Sequence, residues 1–341
     1  MSDGAYFANQ WGLDLAEAVP DDDYLHTDLC RKVGKHTCVE TQFFGFSIPE
    51  HRIHSIGYFR QHPNMGHMFG GALAFQGIKE HFLAAELADY RLYMTDEALR
   101  GDLHSVTLEN SYHTEVIEPL RKFRTCYDDP KRGNSFTVEY TAVAPAVALK
   151  KSGHLEQLMR AQGELFLRGQ RFDIDCLTIR NRTWGEARDE NHAPIPATTW
   201  MACTIDENFA FLVNALDHPD LDPVWKGHFD IAPDKVLLGG WVYRDGEVVG
   251  VKSIRKITRY DERSWVPQSF AFDLVDAKDR TYAVTGRITA ASPYNVYLNI
   301  NSYMCLADIE VNGRKGHCDF QDLQWTDFLN AMTRERALAP S

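Results

Sequence analysis

From residue 103 onward, apolar and polar side chains alternate with a period of two, and no other feature restricts the fold so tightly. The runs "LHSVTLENSYHTEV" (103–116), "RKFRTCYDD" (121–129) and "SFTVEYTAVAPAV" (135–147) all show it. Successive side chains of an extended strand point to opposite faces, so each run turns one face to a core and the other outward. Pro119, Asp128-Asp129-Pro130 and Gly133 separate the runs. Residues 153–185 read as two long strands turning at Gly169-Gln170. Asp245-Gly246 and Ala277-Lys278-Asp279 mark two more hairpins in the second half. Many short antiparallel strands predict a mainly β protein built from barrels or sandwiches. Nothing alternates strand with helix as a doubly wound fold would.

The first hundred residues fit the same plan. "CVETQFFGFSIPE", "RIHSIGYFRQHPN" and "GHMFGGALAFQGI" read as strands, and "KEHFLAAELADYRLYM" (79–94) has apolar residues at roughly helical spacing, so one helix is predicted there. A chain of 341 residues is long for one core. The proline-bearing "ENHAPIPATT" breaks the pattern, and predicts domains over 1–195 and 196–341. The net charge of -12 argues against a nucleic-acid partner, and no basic tract invites a membrane surface. No apolar run is long enough for a helical membrane span. Seven scattered cysteines without a C-x-x-C pair and the absence of a secretory signal pattern predict a cytoplasmic protein with reduced thiols. The irregular stretch "DHPDLDPVWKGHFD" is a candidate lid or contact surface.

Common catalytic signatures are missing. There is no G-x-G-x-x-G, phosphate-binding loop, G-x-S-x-G or H-E-x-x-H. His51 with His54, or His62 with His67, has no recognisable ligand set around it, so no metal and no cofactor are expected. Four clusters remain. His154 and Glu156 stand two apart on an expected strand and share a face, with Arg160 further along. On a pocket wall the Glu would raise the His pKa and the pair would serve acid–base chemistry; on a solvent face it is an ordinary polar pair. Arg180, Arg182 and Trp184 share parity, with Asn181 on the other face. The arginines could hold a developing anion, or an arginine such as Arg188 could simply lie over the indole. Tyr260, Asp261 and Arg263 could form a polar triad with Tyr260 as acid, or a turn that ends a strand. Tyr112 and His113 form a fourth candidate.

The succession "TQFFGFSIPE", "HPNMG…GGALAF", "GHLEQ", "RNRTWGEAR", "RYDERSW" and "VNGRKGH" resembles the lipocalin-like superfamily of carotenoid 1,2-hydratases (hydroxyneurosporene synthases) and kievitone hydratase. It looks most like bacterial members with a segment of the form R-D-R-S-W-G-x-R. The resemblance implies two lipocalin-like antiparallel β-barrels in tandem with few short helices, and a hydrophobic ligand near a barrel mouth or between barrels. It also implies water addition to an alkene, led by a buried acid. The chain departs from that pattern where it matters. Ile179 and Asn181 stand where the hydratases carry Tyr and Asp, and Glu156 replaces the Trp of their H-x-W pair. An amide cannot protonate an alkene.

These residues lead to the expectation of a lyase for a hydrophobic aromatic or terpenoid small molecule. Its chemistry would be hydration, elimination or retro-aldol cleavage, for instance of a lignin-type phenolic dimer. His154 would be the base, Glu156 its orienter, Arg180 or Arg182 the anion holder, Tyr260 an acid and Trp184 an apolar wall. A non-catalytic carrier of an apolar ligand is the alternative, and a homodimer is compatible with either.

Overall fold

The computed structural model describes residues 15–149, 153–188, 196–221, 231–294 and 299–338. Among them strands dominate, with two α-helices and a few single 3-10 turns. The chain forms two compact units that divide between residues 189 and 190. Residues 189–195, which carry much of the expected boundary, and 222–230, the centre of the candidate lid, lie outside the described residues.

The first unit contains β1 (Leu15–Glu17), helix α1 (Thr27–Val33), β2 (Cys38–Ile48), β3 (Ile53–His62), β4 (His67–Gln76), β5 (Leu87–Thr95), β6 (Ser105–Thr107), β7 (His113–Glu118), β8 (Lys122–Asp129), β9 (Asn134–Ala142), β10 (Val147–Leu149), β11 (Gly153–Leu167) and β12 (Gln170–Ala187). They make one twelve-stranded sheet in the order β5-β4-β3-β2-β12-β11-β9-β8-β7-β6, with β10 pairing β11 and β1 pairing β10. Alternate residues such as Phe44, Phe46, Phe59, Phe123, Phe136, Met159, Leu165 and Ile174 meet in one apolar core and so define the inner face. The outer edges of this order, β5 and β6, share no backbone ladder. Side chains tie the region instead: Asn110 Nδ2 donates to the carbonyls of Gly70 and Asp89, and Tyr127 Oη donates to Asp89.

One expectation fails here. Residues 79–94 are not a helix; after a 3-10 turn at Phe82–Ala84 they become β5. The open edge of β4 decides the matter, because its backbone groups are satisfied only by a neighbouring strand. Gly71 lets β5 approach, since a Cβ there would fall 1.9 Å from the Asp89 carbonyl oxygen.

The second unit is a closed eight-stranded antiparallel barrel. Its strands are β13 (Thr198–Asp206), β14 (Phe209–Leu216), β15 (Leu237–Arg244), β16 (Glu247–Tyr260), β17 (Pro267–Asp276), β18 (Thr281–Pro293), β19 (Ile300–Val311) and β20 (Arg314–Trp325), followed directly by α2 (Thr326–Leu338). Its lumen is filled by residues such as Phe211, Phe272, Leu274 and Val284. Phe270 stacks on Phe320 with centroids 4.6 Å apart, and a Cβ on Gly286 would strike the Phe270 ring. Phe328 and Met332 of α2 pack with Trp325, Ile300, Tyr260 and Trp265 at one end. Each fully buried Phe is worth roughly 1.5–3 kcal/mol, so this lumen is a core.

Candidate active site

The long hairpin of β11 and β12 carries most of the candidate residues and sorts them onto two faces. His154 lies directly opposite Thr183, and Glu156 opposite Asn181. Leu155, Gln157, Arg180, Arg182 and Trp184 alternate with them and face inward, in line with the core residues Met159 and Ile174. His154 and Glu156 therefore share a face, as their spacing predicts, but Arg180, Arg182 and Trp184 lie on the opposite side of the sheet. The expected guanidinium partner of the pair is not Arg180 or Arg182.

On the outer face, His154 Nε2 and Glu156 Oε1 are 2.9 Å apart, and both side chains are almost wholly buried, at 1% and 2% exposure. His154 Nδ1 meets Thr183 Oγ1 at 2.7 Å. Arg188 Nη2 donates to the same hydroxyl at 3.2 Å while its Nε holds Glu186. A neutral imidazole satisfies this chain: Nε2–H donates to the carboxylate, and Nδ1 accepts from the Thr183 hydroxyl. Burial pushes the His154 pKa well down, with the Arg188 charge adding to the effect. The expected rise in its pKa is thus reversed, because desolvation of the imidazolium outweighs the carboxylate. Asn181 sits half-buried across from Glu156. Arg160 lies outside this group, in an exposed bidentate pair with Asp175.

The inner-face arginines hold the N-terminal segment across the sheet. Arg180 Nη1 donates to Asp23 at 2.7 Å, its Nε and Nη2 both reach Gln157 Oε1, and its guanidinium lies 4.0 Å from the Phe123 ring centroid. Arg182 pairs with Glu40 at 3.0 Å and lies over Trp184 at 5.5 Å. The arginine over the indole is therefore Arg182, and Arg188 serves Thr183 instead. The other Asp23 oxygen accepts from Leu120 N, and Glu40 accepts from His26 N. His26 stacks on Trp184. Burial raises the Glu40 pKa and lowers that of Arg182.

Tyr112 is buried in the core against Gly57, whereas its neighbour His113 faces the other way and bonds Thr107 Oγ1 at 2.9 Å, so the two do not act together. His54 bonds Ser47. The rings of His62 and His67 lie 5.9 Å apart. Arg60 Nε donates to His62 Nε2, which leaves the proton on Nδ1, and His67 Nε2 donates to the Leu92 carbonyl. Burial, helped by Arg60, lowers the His62 pKa to about 4. A cation has no ready pair of lone pairs there, and no group of three possible metal ligands exists among the described residues.

In the second unit the expected triad dissolves. Asp261 is an exposed turn cap that accepts from the backbone N–H groups of Arg263 and Ser264. Tyr260 points the other way and donates to Asp322 Oδ1 at 3.3 Å. Asp322 also accepts from Thr199 and, at 2.8 Å, from Gln324. Burial lifts the Asp322 pKa to about 7, against the pull of Gln324 and Lys256, and burial likewise raises Tyr260. Lys256 forms a wholly buried pair with Asp217, joined by Thr258. Sequence reasoning passed over Asp322, Lys256, Asp217 and Thr183. The available signal was parity: Lys256 and Thr258 alternate in step with Ile254 and Tyr260.

No helix among the described residues is long and apolar enough to cross a membrane. No curated protein matches the sequence at a significant level. Two crystal structures are among those that share the fold. One, from Nitrosomonas europaea and assigned provisionally to the AttH proteins, aligns with a TM-score of 0.60 at 10% identity, over 90% of this chain and 96% of that one. Kievitone hydratase of Nectria haematococca aligns with a TM-score of 0.50 at 10% identity, over 93% and 95%. At such identity these likenesses speak to the fold alone. The family model described as a domain of unknown function, DUF7064, matches residues 21–328, and the chain belongs to that family.

Proposed function

We propose that this protein is a lyase that works by acid–base chemistry on a hydrophobic aromatic or terpenoid small molecule. The observation that supports it best is the buried line Glu156–His154–Thr183, with contacts of 2.9 and 2.7 Å. A carboxylate that holds one imidazole nitrogen leaves the other free to draw a proton from a hydroxyl, and the lowered pKa keeps His154 in its basic form at neutral pH. In this reading His154 removes the proton through Thr183 and Glu156 steadies the imidazolium. Arg188, bonded to the same hydroxyl, favours negative charge beside it. Asn181 offers an amide to a substrate oxygen. The hydratase name of a structural neighbour is in keeping with water chemistry, but the amide at 181 favours an anionic intermediate over protonation of a plain alkene.

The aromatic β-hydroxyketone β-hydroxydihydrochalcone tests this with one probe. Loss of water gives chalcone, and retro-aldol cleavage gives benzaldehyde and acetophenone. Either product, formed by wild-type protein and lost in His154→Ala, is the expected result. Recovery of the probe unchanged beside active water addition to the prenyl alkene of kievitone would overturn the anionic scheme. A ligand that is only bound and released intact would favour a carrier.

A further inference from the structure

The barrel of the second unit closes through a single ladder. Every other ladder joins strands that are neighbours in sequence, whereas this one joins the first strand, β13, to the last, β20. Near one end of that seam two cysteines face each other. Cys203 is the direct partner of Cys318, and only the pair Thr204–His317 lies beyond them. Among the described ladders no other two cysteines are direct partners. Both belong to the apolar lumen, both are wholly buried, and both are free thiols. Direct partners of an antiparallel pair have Cα atoms about 4.5–5.5 Å apart, inside the range of about 4.4–6.8 Å that a disulfide spans. Gly316 keeps the two strands close at this end, because a Cβ there would fall 2.4 Å from the Thr204 carbonyl oxygen. Cys305 is the third thiol of the lumen. It lies opposite Phe320, so it is only a diagonal neighbour of Cys318, at about 7–8 Å. An isolated buried cysteine is simply a small apolar side chain. Two that face each other across the ladder that closes a barrel are also placed to form a bond.

We infer that Cys203 and Cys318 are a redox modification site: a hydroperoxide joins them in a reversible disulfide that staples the seam of the second barrel. The bond closes a loop of about 115 residues, with β14 to β19 wholly inside it. It therefore restricts the unfolded chain more than a staple between neighbouring strands, because that effect grows with loop length. With hydrogen peroxide the step balances. One thiolate attacks the peroxide, keeps one oxygen as a sulfenic acid and releases hydroxide, which the lost thiol proton converts to water. The second sulfur displaces the sulfenic oxygen, which leaves as water with the second thiol proton. The two sulfurs lose two electrons and the peroxide gains them. Burial pushes the Cys318 thiol well above its ordinary pKa, and the neighbouring Cys203 thiol adds to the rise. The reaction accordingly proceeds when the end of the ladder opens, more slowly than at an exposed thiol. The site lies within the second unit and does not depend on the lyase reading.

The test uses the full chain, reduced with dithiothreitol, desalted, treated overnight with hydrogen peroxide and then alkylated. Peptide mass spectrometry should find Cys203 and Cys318 in one cross-linked pair, with Cys305 alkylated, and dithiothreitol should reverse the link. Trp200, Trp241, Trp265 and Trp325 lie in the second unit, so tryptophan fluorescence follows its unfolding. Oxidation should raise that unfolding temperature by about 5 °C or more. Cys203→Ala and Cys318→Ala should each abolish the shift, and the mapping of the wild type decides the matter even where a variant does not fold. Absence of the link, whether the two cysteines stay thiols or go on to sulfinic acids, would overturn the inference. So would a link from Cys318 to Cys305, or an unfolding temperature that the link between Cys203 and Cys318 leaves unchanged.

Discussion

Asp322 gives the most quantitative prediction. Its carboxyl is wholly buried among Tyr260, Thr199, Gln324, Tyr303, Cys305 and the Lys256–Asp217 pair, and its pKa stands at about 7 against 3.8 in water. Lys256 is already balanced by Asp217, so an ionised Asp322 would put a second negative charge beside one cation. A raised native pKa means that the folded protein holds this proton while the unfolded chain releases it. The associated stability is complete below pH 4, declines as pH rises and is gone above pH 7. Between pH 5 and pH 7 the slope of about 1.4 kcal/mol per unit amounts to about 3 kcal/mol. Asp322→Asn removes the charge at nearly constant shape. It costs about 1 kcal/mol in altered hydrogen bonds at every pH, but it abolishes the slope. Urea unfolding, followed by the β-sheet circular dichroism signal at pH 5 and pH 8, measures the difference between variant and wild type. That difference should move by about 3 kcal/mol in favour of the variant at the higher pH. A difference that stays constant across this range would refute the reasoning, because an ordinary surface-like carboxyl titrates below it.

Two further outcomes follow from the site geometry. Asp23→Ala leaves the Arg180 guanidinium buried beneath Phe123 without its counter-charge, and should lower unfolding free energy by about 3–5 kcal/mol, whereas replacing both charges together by apolar residues should cost far less. Asp261→Ala removes only an exposed turn cap, so thermal unfolding should show a loss of about 1 kcal/mol and turnover of the hydroxyketone should be unchanged.

Much of the fold was legible because alternation is a local property. It located the hairpin of β11 and β12, put His154 beside Glu156, and separated Asn181 from Arg180. Parity within one strand does not match faces across a hairpin; the register that sets His154 opposite Thr183 placed Arg180, Arg182 and Trp184 on the other side from the imidazole. Which side is the interior depends on residues far away in sequence: Phe44 and Phe123 fix it, and Asp23, 157 residues from Arg180, completes the inner pair. The strand at 87–95 was hidden for a similar reason, since the open edge of β4 outweighed the segment's own helical spacing. Asp322 looked like one acid among many in "DFQDLQW"; only closure of the barrel brought it to Tyr260.

In the proposed function the buried Glu156–His154–Thr183 line performs proton transfer. Its most direct test is kcat/KM for β-hydroxydihydrochalcone in wild type, His154→Ala and Glu156→Gln, with folding confirmed for each. A positioned general base contributes about 10²- to 10⁴-fold, so the His154 variant should fall by that factor and the Glu156 variant by a smaller one. Rates within twofold of wild type in both would contradict the account.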